Sequence, residues 1–315
     1  MKILFITSTY LGDAIISTGI LESLRKKYPE AQFTVACGPI PLPLFSAMPQ
    51  IEQLIAIEKL SYARHWLKLW ARCIFRRWDL VVDVRGTGLS HFLWSKKRHI
   101  WRSSTVQKLR VHQLAEFLKL SKTPSSKIHV SGENTGEAAQ ILKNRERFIC
   151  LSPASNWDKK SWPLENFITL GHQLIKAFPG VTLAILGAPS QRQALDILFK
   201  GLPQDQTLDL VGKVSLPTLA VLLQKSCLFV GNDSGLMHLA ASMGTPTLGL
   251  FGPSPEIIYA PWGEKATYVR TPIPFEEAMD RAKKGENVMG TLTVESVFEK
   301  ILEDNFLTYR TIQKK

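Results

Sequence analysis

Cys227-Leu228-Phe229-Val230-Gly231-Asn232-Asp233-Ser234-Gly235-Leu236-Met237-His238-Leu239-Ala240-Ala241 reads as a buried strand that turns directly into a helix. Gly231 and Gly235 let the backbone come close to another group at the turn. The first N–H groups of the helix have no carbonyl partner and carry the positive end of its dipole, which makes a ready site for a diphosphate. A carboxylate set against a diphosphate would be repelled, so Asp233 is expected to point at neutral hydroxyls such as those of a sugar. The plainer alternative is that Asp233 caps the helix and His238 faces the core.

The same alternation extends in both directions. Strands are expected at residues 2–7, 32–36, 53–57 and 79–84, then at 148–152, 181–186, 227–231 and 245–251. Helical spacing fills 14–27, 164–178, 191–199, 216–224, 236–243 and 294–302. Strands apolar throughout and joined by helices imply α/β architecture, with parallel sheets covered on both faces. The pattern occurs twice, separated by a polar stretch at 121–147. Two Rossmann-like domains follow, 1–147 and 148–315, with ligands at the carboxyl ends of strands that face a central cleft. The last helix is expected to pack back on the N-terminal domain. Residues 252–290, dense in Pro and Gly, read as a long functional loop.

Composition excludes several classes. With 45% hydrophobic and 21% charged residues, the chain is neither disordered nor fibrous. No apolar run reaches the ~18 residues that span a bilayer. The apolar start at Ile3 is broken by Thr7, Ser8, Thr9 and Asp13, too early for a secretion signal, so a cytoplasmic protein is expected. Cys37, Cys73, Cys150 and Cys227 are scattered with no metal-binding spacing and read as buried thiols. A net charge of +12 favours an anionic partner.

Two further segments could carry chemistry. In Leu11-Gly12-Asp13, Gly12 permits a tight strand-to-helix turn and Asp13 lies at a helix start. Capping is the commoner use of such an Asp, although the same carboxylate could take a proton from a substrate hydroxyl. In Ser152-Pro153-Ala154-Ser155-Asn156-Trp157-Asp158-Lys159-Lys160-Ser161-Trp162-Pro163, small polar residues and lysines precede a helix that opens at Pro163. That suits an anionic group, and equally an ordinary solvated loop. A G-x-G-x-x-G fingerprint, a P-loop and an Asp-x-Asp pair are all missing from the sequence.

Together, Leu11-Gly12-Asp13, Lys160-x-Trp162-Pro163 and the block from Asn232 through Gly244-Thr245-Pro246 to Leu250-Phe251-Gly252-Pro253 resemble glycosyltransferase family 9. Its best-known members are the ADP-heptose:lipopolysaccharide heptosyltransferases of Gram-negative bacteria. The resemblance implies a GT-B fold and a metal-independent, inverting transfer with no cofactor. The nucleotide-sugar, ADP-heptose, is a substrate held mainly by the C-terminal domain, and a lipopolysaccharide core acceptor sits on the N-terminal one. By position, Asp13 resembles the general base and Lys160 the diphosphate-holding lysine, with Ser155 and Asn156 as nearby polar contacts. Asp233 resembles the sugar-hydroxyl contact, while Ser234, Gly235 and His238 line the diphosphate end. The chain departs from the pattern at Ala188–Gln193, which lacks the acidic run that some members use on the adenosine ribose.

One stretch lies outside these motifs. Along residues 62–78, Trp66, Leu69, Trp70 and Cys73 share one helical face, and Arg64, Lys68, Arg72 and Arg76 another. The pattern suits a helix lying on an anionic membrane surface, and equally a core helix with a solvated basic face. The first of these readings implies peripheral association with the cytoplasmic face of the inner membrane through residues 62–78, and nucleic acid is not expected as a partner. Two rival functions are a sugar-nucleotide epimerase on the same architecture and a basic nucleic-acid-binding protein.

Overall fold

The computed structural model describes residues 1–102, 106–143 and 145–304. The chain forms two compact α/β units, Met1–Ser131 and Gly132–Lys315.

The first unit carries strands β1 (Lys2–Ile6), β2 (Gln32–Cys37), β3 (Ile51–Ala56), β4 (Trp78–Asp83) and β5 (Ser95–Ile100). All pair in parallel, in the order β3-β2-β1-β4-β5. Its helices are α1 (Leu11–Lys27), α2 (Arg64–Cys73) and α3 (Arg110–Phe117). In β1, Ile3 to Ile6 are fully buried, as a central strand covered on both faces requires. The crossover from β1 leads to β2 on one side, and the crossover from β3 returns past β1 to β4. Right-handed crossovers in opposite directions put α1 and α2 on opposite faces of the sheet. On the α2 face, Leu69 and Cys73 pack with Leu4, Ile6, Trp78 and Val81.

The second unit runs α4 (Gly132–Leu142), β6 (Phe148–Ser152), α5 (Leu164–Ala177), β7 (Thr182–Ile185), α6 (Asp196–Gly201), β8 (Thr207–Asp209) and α7 (Leu216–Lys225). It continues through β9 (Leu228–Asn232), α8 (Gly235–Ser242), β10 (Thr247–Phe251), α9 (Glu256–Tyr259), β11 (Ala266–Arg270), α10 (Phe275–Lys283) and α11 (Val294–Glu303). The six strands are parallel, in the order β11-β10-β9-β6-β7-β8. Val297 and Ile301 of α11 join Phe167, Leu170 and Leu174 of α5 in this unit's core. The closing helix thus packs on the core of the second unit.

Three strands escaped the sequence reading, and all three lie at sheet edges: β5, β8 and β11. An edge strand is half solvated and tolerates charge, so Ser-Lys-Lys-Arg-His-Ile in β5 shows no apolar run. The long loop expected at 252–290 instead holds α9, β11 and α10. Its prolines punctuate elements: Pro255 precedes α9 and Pro274 precedes α10. Likewise the polar stretch 121–147 contains α4, which packs against α7 in the second unit.

Before α4, residues 124–129 are strapped along α1. Lys127 N donates to Thr18 Oγ1 at 3.0 Å, and a Cβ on Gly19 would stand 3.0 Å from the Ser125 carbonyl oxygen. Glu22 on α1 accepts from Arg25 Nε and Nη2 at 2.8 and 2.7 Å and lies 3.2 Å from His129 Nε2. The Arg25 hydrogen bonds, aided by His129 and opposed by burial, lower the Glu22 carboxyl from 4.5 to about 2. A lowered carboxyl pKa contributes stability above its unfolded value and loses it as pH falls through the folded one. The advantage of the wild-type chain over Glu22→Gln should therefore be full above pH 4.5 and fade towards pH 2, read as denaturant midpoints.

All four cysteines are free and buried. Burial raises Cys37 and Cys150 to about 12 and Cys73 to about 11, so these three remain unreactive thiols at neutral pH.

Candidate active site

In the second unit the chain first builds β6, β7 and β8 in one direction, then returns to place β9 on the other side of β6. The loops leaving β6 and β9 diverge at this reversal, the position where open parallel sheets bind ligands. Ser152 pairs with Gly231 at the carboxyl ends of the two strands. A Cβ at Gly231 would lie 2.7 Å from Ser152 Cβ, so no larger residue fits between them.

Asn232 ties the two loops together. It is fully buried, donates from Nδ2 to the Pro153 carbonyl at 2.7 Å and accepts from Trp162 N at 3.0 Å. Trp162 is itself buried, donates from Nε1 to the Leu292 carbonyl at 2.8 Å and meets Phe167 edge-on at 4.9 Å. Between these anchors the loop forms a short 3₁₀ turn, Asp158–Lys160. Lys160 Nζ lies 2.7 Å from Asp233 Oδ2, with the carboxylate buried and the ammonium half-buried.

That ion pair takes Asp233 away from the capping role. The residue that caps α8 is Ser234, in extended conformation, so Asp233 turns its carboxylate to the lysine and not to the helix. The Ser234 hydroxyl makes no capping bond and is buried without a hydrogen-bond partner among the described residues. Gly235 opens α8, and the N–H groups of its first turn find no carbonyl inside the helix. His238 is buried in the same helix. An ammonium, a hydroxyl and a helix N-terminus thus gather at one strand reversal, donors suited to an anion.

Two expected contacts look different. The Ser155 hydroxyl is spent inside its own loop, on the Trp157 carbonyl at 2.7 Å and near Ser161 Oγ at 3.1 Å. Asn156 is exposed, with no hydrogen bond among the described residues. Sequence reading overlooked Asn232 and the anchoring role of Trp162, because a buried amide and a buried indole have no spacing signature. It also overlooked Ser254, past the end of β10, whose buried hydroxyl has no partner among the described residues.

In the first unit, Asp13 is the third residue of α1, and Tyr10 occupies the capping position. Asp13 is partly exposed and makes no hydrogen bond or ion pair among the described residues. The capping alternative therefore fails, since the side chain is not used by the helix end. Here too the strand order reverses, between β1 and β4. Arg85, after β4, donates to Thr9 Oγ1 at 3.0 Å across that reversal. Buried Asp83 holds the same loop through Arg85 N, Thr87 and Ser90 at 2.6–2.9 Å.

Asn232→Ala should strand the Trp162 N–H and the Pro153 carbonyl in the interior, at about 1–3 kcal/mol for each buried group left unsatisfied. The expected outcome is a lower unfolding midpoint, with faster amide exchange concentrated in residues 153–163. Protection unchanged in that segment would show that the amide does not hold the Lys160 loop.

Comparison with known proteins identifies the family. The sequence model of Glycosyltransferase family 9 (heptosyltransferase) matches residues 82–288. Lipopolysaccharide heptosyltransferase 3 of Escherichia coli K12 is 22% identical over 94% of this chain and 96% of its own length. In fold, the chain is similar to the family 9 glycosyl transferase of Veillonella parvula DSM 2008, with TM-score 0.81, 20% identity and 98% and 97% of the two chains covered. It is also similar to the E. coli ADP-heptose lipopolysaccharide heptosyltransferase II, with TM-score 0.76, 20% identity and 98% and 100% covered. Both units have the parallel α/β architecture expected for a GT-B fold, and the matched family spans most of the chain. The chain belongs to glycosyltransferase family 9, the heptosyltransferase family, and is a glycosyltransferase.

Proposed function

We propose that this enzyme transfers a heptose from ADP-heptose to a lipopolysaccharide core acceptor at the cytoplasmic face of the inner membrane. Transfer proceeds with inversion at the anomeric carbon and without a metal or cofactor. The single observation that carries the donor half is the Lys160–Asp233 pair beside the N-terminus of α8. The names of the relatives support the choice of sugar and acceptor: a lipopolysaccharide heptosyltransferase and an ADP-heptose lipopolysaccharide heptosyltransferase.

The chemistry follows from those residues. The acceptor oxygen attacks the anomeric carbon as the bond to the diphosphate breaks, and the bonding electrons leave with ADP. Negative charge accumulates on the departing diphosphate. Lys160 and the first N–H groups of α8 stabilise it where it forms. On donor binding, the ammonium exchanges Asp233 for phosphate oxygens, and the carboxylate turns to a hydroxyl of the sugar. Asp13 accepts the acceptor proton as the new bond forms, a role typically worth about 10²–10⁴-fold. Because that carboxylate makes no capping hydrogen bond, its oxygens are available for the task.

Asp13→Asn should lower turnover by about 10²–10⁴-fold and leave the unfolding midpoint nearly unchanged, measured as acceptor-dependent ADP release with product mass. Wild-type turnover by this variant removes Asp13 as the base. Lys160→Met should weaken ADP binding by about tenfold or more in calorimetry, the scale of a hydrogen bond to a charged group. Nucleotide release that needs no acceptor, or appears only with another sugar nucleotide, overturns the transfer or the donor respectively.

A further inference from the structure

The excess charge of this protein resides entirely in one unit. Residues 1–131 hold 20 lysines and arginines against 8 acids, whereas residues 132–315 hold 19 against 19. Within the first unit the densest basic run is Lys59 to Trp78, with six lysines and arginines and no acid. It contains α2, whose inner face is fixed: Leu69 and Cys73 are buried, and Trp66 and Trp70 pack partly against the same core.

The outer face of α2 is unusual. Arg64, Lys68 and Arg72 occupy it, and none of them forms an ion pair among the described residues. Between them projects Leu67, 65% exposed. Just beyond the two ends of the helix, Tyr62 is 98% and Phe75 97% exposed. Trp94, 60% exposed, extends the patch from the turn before β5, and Arg77 stands 5.6 Å over its ring. The lysines and arginine of β5 at 96–98 are exposed as well, although Lys96 pairs with Asp79 at 2.7 Å and Arg98 donates to the Leu93 carbonyl, so the unpaired cations that the patch draws on are those of α2. Large apolar side chains projecting singly into water amid unpaired cations gain nothing from the fold that carries them.

We propose that this face of α2, with the Trp94 turn, is the docking surface of the protein for an anionic lipid bilayer. The inference deepens the functional reading above, on which it rests, by naming the surface through which the enzyme meets its lipid-linked acceptor. The cations engage lipid phosphates, and Tyr62, Leu67 and Phe75 enter the headgroup–acyl boundary, as interfacial helices do. The charge on the remainder of the unit steers the encounter. A nucleic acid would use the cations and stack bases on the aromatic rings, but it has no use for an aliphatic Leu67, which gains only by leaving water. The neutral second unit has no comparable field.

Flotation of the full-length protein with vesicles, without nucleotide or acceptor, tests this. The expected result is binding to phosphatidylcholine vesicles containing about one-third phosphatidylglycerol, weakened by salt, and none to phosphatidylcholine alone. R64Q/K68Q/R72Q should lower the partition coefficient by about a hundredfold. L67S/F75S should lower it by about tenfold or more at unchanged charge. A charge-matched control, K27Q/K122Q/K127Q, changes residues outside α2 and should bind within a few-fold of wild type. Unfolding midpoints of all three variants should match wild type, since none of the side chains is buried.

Equal losses in the control and the α2 variant would overturn the proposal, leaving only diffuse attraction by net charge. So would full binding by L67S/F75S, an oligonucleotide that strips the protein from vesicles at matched phosphate, or a wild-type dimer that L67S/F75S dissociates. Transfer to a water-soluble acceptor fragment, assayed in parallel, should be the same for wild type and α2 variants. Its absence in wild type would count against the transferase reading and not against the docking surface.

Discussion

Asn232 gives both ends of one buried amide to the loop that leaves the neighbouring strand, and the candidate donor site depends on that connection. The loop from β6 carries Lys160 and would otherwise be a solvated polar segment. With Pro153 held at one end and Trp162 at the other, the ammonium is delivered to within 2.7 Å of Asp233. Groups buried in this way must stay paired, because an orphaned N–H or carbonyl costs more than the bond contributes when formed. The constraint also explains the glycine at 231, which leaves room for Ser152 where the two strands end.

The proposed exchange of the Lys160–Asp233 pair on donor binding draws on the burial of its two partners. One partner is buried and the other half-buried, so neither full hydration nor a fully dry interior fixes its strength. A diphosphate offers the ammonium more charge and more acceptor atoms than one carboxylate does. In the proposed donor complex the carboxylate released by the lysine is met by a neutral hydroxyl of the sugar. The unpartnered hydroxyl of Ser234 at the start of α8 adds a second polar group with unmet capacity at the same place.

The two units divide the electrostatics sharply. The second balances its charges, so the cation at its site acts locally. The first carries all of the net positive charge and displays part of it on a helix whose inner face is locked into the core. A helix whose buried stripe is satisfied can vary its outer face without losing its fold. That freedom is what allows Leu67 to stand in solvent.

Sequence alone determined the central strands, the alternation of strand and helix, and the segments that carry Asp13, Lys160 and Asp233. Central parallel strands are buried on both faces, so their composition is predominantly apolar, with polar residues such as Asp83, Ser152 and Asn232 at their carboxyl ends. Tertiary structure alone decided the edge strands β5, β8 and β11, where one solvated side admits charge and erases the pattern. It alone decided that Asp233 meets Lys160 across 73 residues of chain and does not cap its own helix. It alone decided that Tyr10 and not Asp13 caps α1, and that Asn232 clasps the neighbouring loop. Each of these depends on which distant group occupies the space beside a side chain, and no local spacing encodes that.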